Sequence, residues 1–133
     1  LGEFCALGES LKFLADQKNN EKARILGKAV DDATQGILDN NKSPSRKVGQ
    51  PDNRASHYYF ALYWAQALAA QTGDADLAAH FAPIAEKLAA NEDMAELAAV
   101  QGKAVDLGGY FHSDPAKTEA VMRPSATLNA IIG

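Results

Sequence analysis

Four basic side chains, Lys42, Arg46, Lys47 and Arg54, fall within thirteen residues that carry a single acid, Asp52. That stretch has a local charge of +3 in a chain whose formal net charge is −4, so the remainder carries −7. Ser43, Ser45, Gly49 and Asn53 are interleaved with the cations. Guanidinium, hydroxyl and backbone N–H groups all donate to phosphate oxygens, so a basic Ser/Asn/Gly loop on an acidic body has the composition of an anion site. The competing reading is a solvated connection between helices whose charges keep it in water.

Other chemistry finds little support. There is no Gly-x-Ser-x-Gly, no Walker loop and no Gly-x-Gly-x-x-Gly. His57, His80 and His112 are far apart in sequence, with no second cysteine beside Cys5, so a zinc site is not expected. Cys5 alone excludes an internal disulfide and fits a reducing cytoplasm; on the apolar side of the first helix it reads as a small core residue. Glu92, Asp93 and Glu96 read as a solvated helix face. His57 directly follows the basic loop, where it either faces a bound anion or packs. Tyr58, Tyr59, Phe60, Tyr63 and Trp64 are too close together on one helix to share a face as a base-stacking platform, and read as core. No catalytic set emerges.

The elements that must position the loop are helices. Of 133 residues, 47% are apolar but only 8% aromatic, and the apolar share is Ala-rich. One mostly α domain spanning residues 1–133 is expected. No run of about 18 apolar residues suggests a membrane span, and no basic and apolar leader is visible. A pI near 5.3 argues against nucleic acid and anionic membranes as partners.

Leu1 to about Gln17 reads as a helix, with Phe4, Leu7, Leu11 and Leu14 as its stripe and Phe13 and Ala15 widening it. Asn20 caps a second helix that runs through Leu38. The loop follows, its centre bracketed by Pro44 and Pro51, which restrict the backbone and make it a held loop. Asp52 or Asn53 caps the most apolar helix, about Ser56 to Gln71, taken as the central core element. A helix over Ala75 to Ala90 contains Pro83, so a kink or break is expected near Ala79 to Ala82. Asn91-Glu92-Asp93 starts a short helix with Met94, Leu97 and Val100 inward. Residues 103–112 carry alternating apolar residues and a Gly pair and read as a short extended stretch and a turn, with an edge strand whose partner lies elsewhere as one alternative. Ser113-Asp114-Pro115 opens a short helix to Met122, and Ser125 caps a terminal one to Ile132. The chain begins at Leu1 inside a helical pattern, which suggests a piece of something longer.

The string NNKSPSRKVGQPDNRASHYYFALYWAQALAAQ, preceded by LGEFCALGESLKFLADQ and followed by GGYFHSDPAKTEAVMRPSATLNAIIG, closely resembles the C-terminal part of the bacterial monomeric-type NADP-dependent isocitrate dehydrogenases. The resemblance covers the whole chain. It implies a cytoplasmic single-chain enzyme of the tricarboxylic acid cycle and glyoxylate bypass, several times longer than this segment. Such an enzyme oxidises and decarboxylates isocitrate to 2-oxoglutarate, reduces NADP and requires Mg²⁺ or Mn²⁺. It further implies that the segment joins an N-terminal part in one α/β domain, with the isocitrate and metal ligands upstream of Leu1. One residue is carried over: Arg46, in SPSRK, matches an arginine the family uses on the 2′-phosphate of NADP. A planar, permanently charged fork suits that dianion. Lys42, Lys47 and Arg54 would add field.

Two readings follow. In the first, the chain is the coenzyme-side segment of such a dehydrogenase, inactive alone. In the second, it is a free-standing module that binds nucleotide or phosphate, or docks on a full-length dehydrogenase. Both expect an exposed apolar surface around Leu107 to Phe111 and the terminal helix, available to the missing N-terminal part or to a second copy.

Overall fold

The computed structural model describes residues 1–92 and 95–133. Its helices are α1 (Gly2–Lys18), α2 (Glu21–Asp39), α3 (Asn53–Ala70), α4 (Ala75–Ala90), α5 (Ala95–Val100), α6 (Pro115–Met122) and α7 (Ala126–Ile132), and no strand forms among the described residues. The mostly α class is as the composition implies. No described helix is long and apolar enough to cross a membrane.

Local chemistry sets the boundaries. Asn20, Asp52, Asp74, Asp114 and Ser125 each cap a helix by accepting a backbone N–H in the first turn, satisfying donors that have no intrahelical partner. Asn19 ends α1 in the left-handed region, which asparagine tolerates better than most side chains.

Helices α1 to α4 pack in sequence, each on the next, and α3 lies between α2 and α4. A helix with neighbours on both sides must be apolar over most of its circumference, which accounts for Tyr58, Tyr59, Phe60, Leu62, Ala65 and Leu68 all being buried. All of these but Leu68 meet Phe4, Val30, Ile37 and Leu88 in one core. The Tyr58 hydroxyl, inside that core, donates to the Leu88 carbonyl at 2.7 Å, and Trp64 Nε1 donates to Leu26 O at 3.2 Å. Phe4 stacks on Phe60 with ring centres 4.1 Å apart, which brings α1 onto α3. The short helices α5 and α7 close the open side by packing on α3 and α4 respectively.

Three expectations are corrected. Cys5 is exposed, because α1 lays only a narrow stripe, Phe4, Gly8 and Ala15, against its neighbours. For the same reason Phe13 and Leu14 are exposed, leaving the wider stripe unfilled. Of the kink or break expected at Pro83, the break does not occur: α4 runs through it, with Pro83 and Ala79, the residue one turn back, both exposed. Residues 103–112 pair with no strand among the described residues, and the expected turn forms: Asp114 N donates to Leu107 O at 2.7 Å and Gly108 N to Asp106 at 2.8 Å. The inward placement of Met94 and the capping role of Asp93 lie outside the described residues.

Candidate anion-binding site

The basic loop leaves α2 through Asn40 and Asn41, the latter at φ 55°, and the Lys42 amide donates back to Ile37 O at 2.8 Å. From there the chain is tied to itself. Ser45 N donates to Pro51 O at 2.7 Å, closing residues 45–51 at the neck. The Ser45 hydroxyl donates to Gln50 Oε1 at 2.6 Å and accepts the Lys47 amide at 3.1 Å. At the tip Gln50 N reaches Lys47 O at 3.2 Å, with Gly49 at φ 90° in the third position of the turn, where a residue without Cβ is favoured. The two prolines therefore bracket a held loop, as the sequence suggests. Arg46 sits between the neck and the turn.

The four cations separate into two kinds. Arg54 is structural: its side chain is 13% exposed, and it donates to the Asp52 carboxylate through Nε at 3.0 Å and Nη2 at 2.7 Å. The same guanidinium reaches Val121 O at 3.2 Å and Val100 O at 3.4 Å, fastening the start of α3 to the ends of α6 and α5. The other oxygen of Asp52 accepts the Arg54 and Ala55 amides at 2.9 and 3.0 Å. Those two helix-start donors are thus already used and do not serve an anion at this loop. Burial pushes the Asp52 carboxyl up, but the hydrogen bonds from Arg54 and the Ala55 amide outweigh it and leave the group below the usual aspartate range.

With Asp52 and Arg54 cancelling, the loop's +3 resides in Lys42, Arg46 and Lys47. Lys42 lies over the Tyr59 ring, its Nζ 4.4 Å from the ring centre. Arg46 and Lys47 are exposed and make no ion pair among the described residues. Arg46 lines a cleft of about 460 Å³ with Pro44, Ser45, Asp52, Asn53, Arg54 and Met122, the Asp52 carboxylate there being paired with Arg54. An apolar groove of about 350 Å³ adjoins it, sharing Asn53, Arg54 and Met122 and continuing past Phe60, Trp64 and Leu128.

The remaining candidates do not join this site. His57 Nδ1 lies 2.6 Å from Asn53 O, and its ring meets Phe4 edge-on at 5.1 Å, so it packs along the apolar groove. His80 contacts Phe81 instead of a polar group. Among the described residues no three His, Cys, Asp or Glu side chains gather as a metal site.

Two polar features escape sequence reasoning. Glu96 is exposed, as a solvated face implies, and it also fastens α7: it accepts from Ser125 Oγ at 2.6 Å, Thr127 Oγ1 at 2.9 Å and Thr127 N at 3.1 Å. The Ser125 hydroxyl, then the Thr127 groups, hold its carboxyl below the usual glutamate range. Gln101 is the second: its side chain spans fifty-two positions to bond the Gly49 amide at 2.8 Å and the Gln50 carbonyl. Neither pairing has a local spacing that a sequence pattern reveals.

The family model for monomeric isocitrate dehydrogenase matches residues 1–133, the whole of the chain. The chain belongs to the monomeric isocitrate dehydrogenase family. Among its relatives, an isocitrate dehydrogenase [NADP] of Azotobacter vinelandii is 56% identical over 134 residues. The isocitrate dehydrogenase [NADP] 2 of Mycobacterium tuberculosis is 54% identical and that of Colwellia maris 53%. In each comparison 99% of this chain is covered, and it spans 18% of the relative's length. The resemblance drawn from the loop and the strings flanking it thus holds at the level of the family.

Proposed function

We propose that this isocitrate dehydrogenase segment is the coenzyme side of an NADP-dependent enzyme that oxidatively decarboxylates isocitrate to 2-oxoglutarate in the cytoplasm. Arg46 contacts the NADP 2′-phosphate. The observation that carries this reading is the division of labour among the cations: Asp52 neutralises Arg54, whereas Arg46 stands exposed beside an open cleft. Its planar fork can present two parallel N–H donors to a phosphate, with Lys47 and Lys42 adding positive potential nearby. The donors present fit a phosphate dianion, and the cleft beside them has room for one.

The chemical step belongs to the longer chain. This segment supplies no general acid, base or metal-binding cluster at the loop, and the Mg²⁺ or Mn²⁺ of the parent enzyme is held by residues outside it. Alone, the segment is inactive. Tyr110 and Phe111, 93% and 89% exposed, offer an apolar face that the rest of the longer chain would cover.

The deciding experiment is a coenzyme comparison in the full-length dehydrogenase that carries this segment. Loss of a charge-assisted contact on an exposed loop removes about 1–3 kcal/mol of binding. Arg46→Gln should therefore raise KM for NADP by about 5- to 150-fold, with KM for NAD within about twofold. An equal change for both coenzymes would overturn the assignment, since NAD lacks the 2′-phosphate.

A further inference from the structure

Arg46 is exposed and owes its position to the loop beneath it, so the question is what holds that loop to the body of the protein. The ties within residues 45–51 fix its shape but not its attachment. Among the described residues, the hydrogen bonds that attach its tip come from one side chain. Gln101, just beyond the end of α5, accepts the Gly49 N–H at 2.8 Å through Oε1 and donates to the Gln50 carbonyl through Nε2. A primary amide has a donor and an acceptor side by side, so it pairs with one residue's N–H and the next residue's C=O much as a neighbouring strand would. Val48 lies beside this pair against Gly102, where a Cβ would stand 2.9 Å from Val48 Cγ2. α5 in turn packs on α3, and its last carbonyl, Val100 O, accepts from Arg54. The tip of the loop is therefore referenced to the helix that also carries the loop's far end.

We infer that Gln101 is a positioning residue for coenzyme selection, holding the 45–51 loop so that Arg46 meets the 2′-phosphate. It touches no coenzyme itself and acts through Arg46. The inference rests on the reading of Arg46 given above. A side chain that only stabilised the fold would affect both coenzymes alike, whereas one that sets the Arg46 loop acts on the NADP complex alone.

The test is a double-mutant cycle in the full-length dehydrogenase, with Gln101→Ala and Arg46→Gln measured singly and together against NADP and NAD. Gln101→Ala is expected to raise KM for NADP by about 3- to 10-fold, the loss of one or two neutral hydrogen bonds to a flexible loop. kcat with NADP and KM for NAD should stay within about twofold. In the Arg46→Gln background the same substitution should change KM for NADP by less than twofold. Gln101→Met keeps the length of the side chain but neither hydrogen bond and adds no charge, and should match alanine. It also serves if the alanine variant does not fold. Parallel losses with NADP and NAD, or an undiminished effect once Arg46 is gone, would overturn the inference and leave Arg46 standing. An unchanged KM for NADP in Arg46→Gln would overturn the reading of Arg46 and this inference with it.

Discussion

The Arg54 guanidinium lies 2.7 Å from the Asp52 carboxylate, two residues earlier in the chain, at the first turn of α3. One ion pair thereby caps a helix, neutralises two of the loop's charges and reaches the carbonyls of Val100 and Val121. Arg54 and Arg46 look alike in the sequence, yet only one is built into the fold.

A stability comparison separates the two arginines. Arg54→Gln removes a mostly buried partner of Asp52 and two carbonyl contacts, and should cost about 1–3 kcal/mol in urea or thermal unfolding. Arg46→Gln removes an exposed side chain and should stay within about 0.5 kcal/mol of wild type. Comparable losses from the two would mean that Arg46 also has a structural partner.

Acid should release α7 through Glu96. The Ser125 and Thr127 donors bond its ionised form and hold its folded pKa below the unfolded value. A depressed carboxyl contributes stability that is present above the unfolded glutamate pKa, about 4.3, and disappears as pH falls through the lower folded value. Asp52 acts in the same direction at the start of α3. Trp64 lines the groove against Leu128 of α7, so its fluorescence should report detachment below about pH 4. Glu96→Gln should weaken α7 at neutral pH and flatten that acid response. An unchanged profile would assign the transition to another carboxylate.

The crossing of α1 and α2 makes a different demand. A Cβ on Gly27 would stand 3.1 Å from the Gly8 carbonyl oxygen and 3.1 Å from Lys12 Cγ. Lys12 can move, but a helix carbonyl moves only with its helix. Gly27→Ala should therefore lose about 1 kcal/mol despite alanine's better helix propensity, which favours it by up to about 1 kcal/mol. Gly2, with nothing near its would-be Cβ, supplies the control: Gly2→Ala should be neutral or slightly stabilising. Equal stabilisation of both variants would show that α1 slides freely on α2.

Much of this organisation is legible in the residues themselves because its causes are local. Caps such as Asn20, Asp114 and Ser125 act within one turn, and the apolar stripes of α2 and α4 recur at helical spacing. The loop too is marked by its charge and its two prolines. What escapes reading depends on partners distant in sequence. Cys5 and Phe13 look like core until it is known that α1 meets its neighbours along a thin stripe of Phe4, Gly8 and Ala15. Residues 103–112 alternate like a strand, but alternation specifies an element only when a second edge is present to pair with it. Glu96 and Gln101 are ordinary polar residues until chain reversal brings Ser125 and Gly49 to them.

Pro83 offers the last test, because sequence and structure give opposite emphasis to it. A proline inside a helix removes one hydrogen bond and crowds the carbonyl four residues back, at a cost of about 3 kcal/mol in a helix interior. Here α4 continues through it, held by Ala85 and Leu88 in the core and by Asp74 capping its start, with Pro83 itself on the exposed side. The helix survives because burial of its inner face outweighs a local penalty that remains in place. Removing the proline should then recover part of that penalty without repacking anything. Pro83→Ala is expected to stabilise the protein by about 1–2 kcal/mol, read as a higher urea midpoint at unchanged slope. A neutral or destabilising result would show that α4 needs the altered geometry at Pro83 to fit against α3.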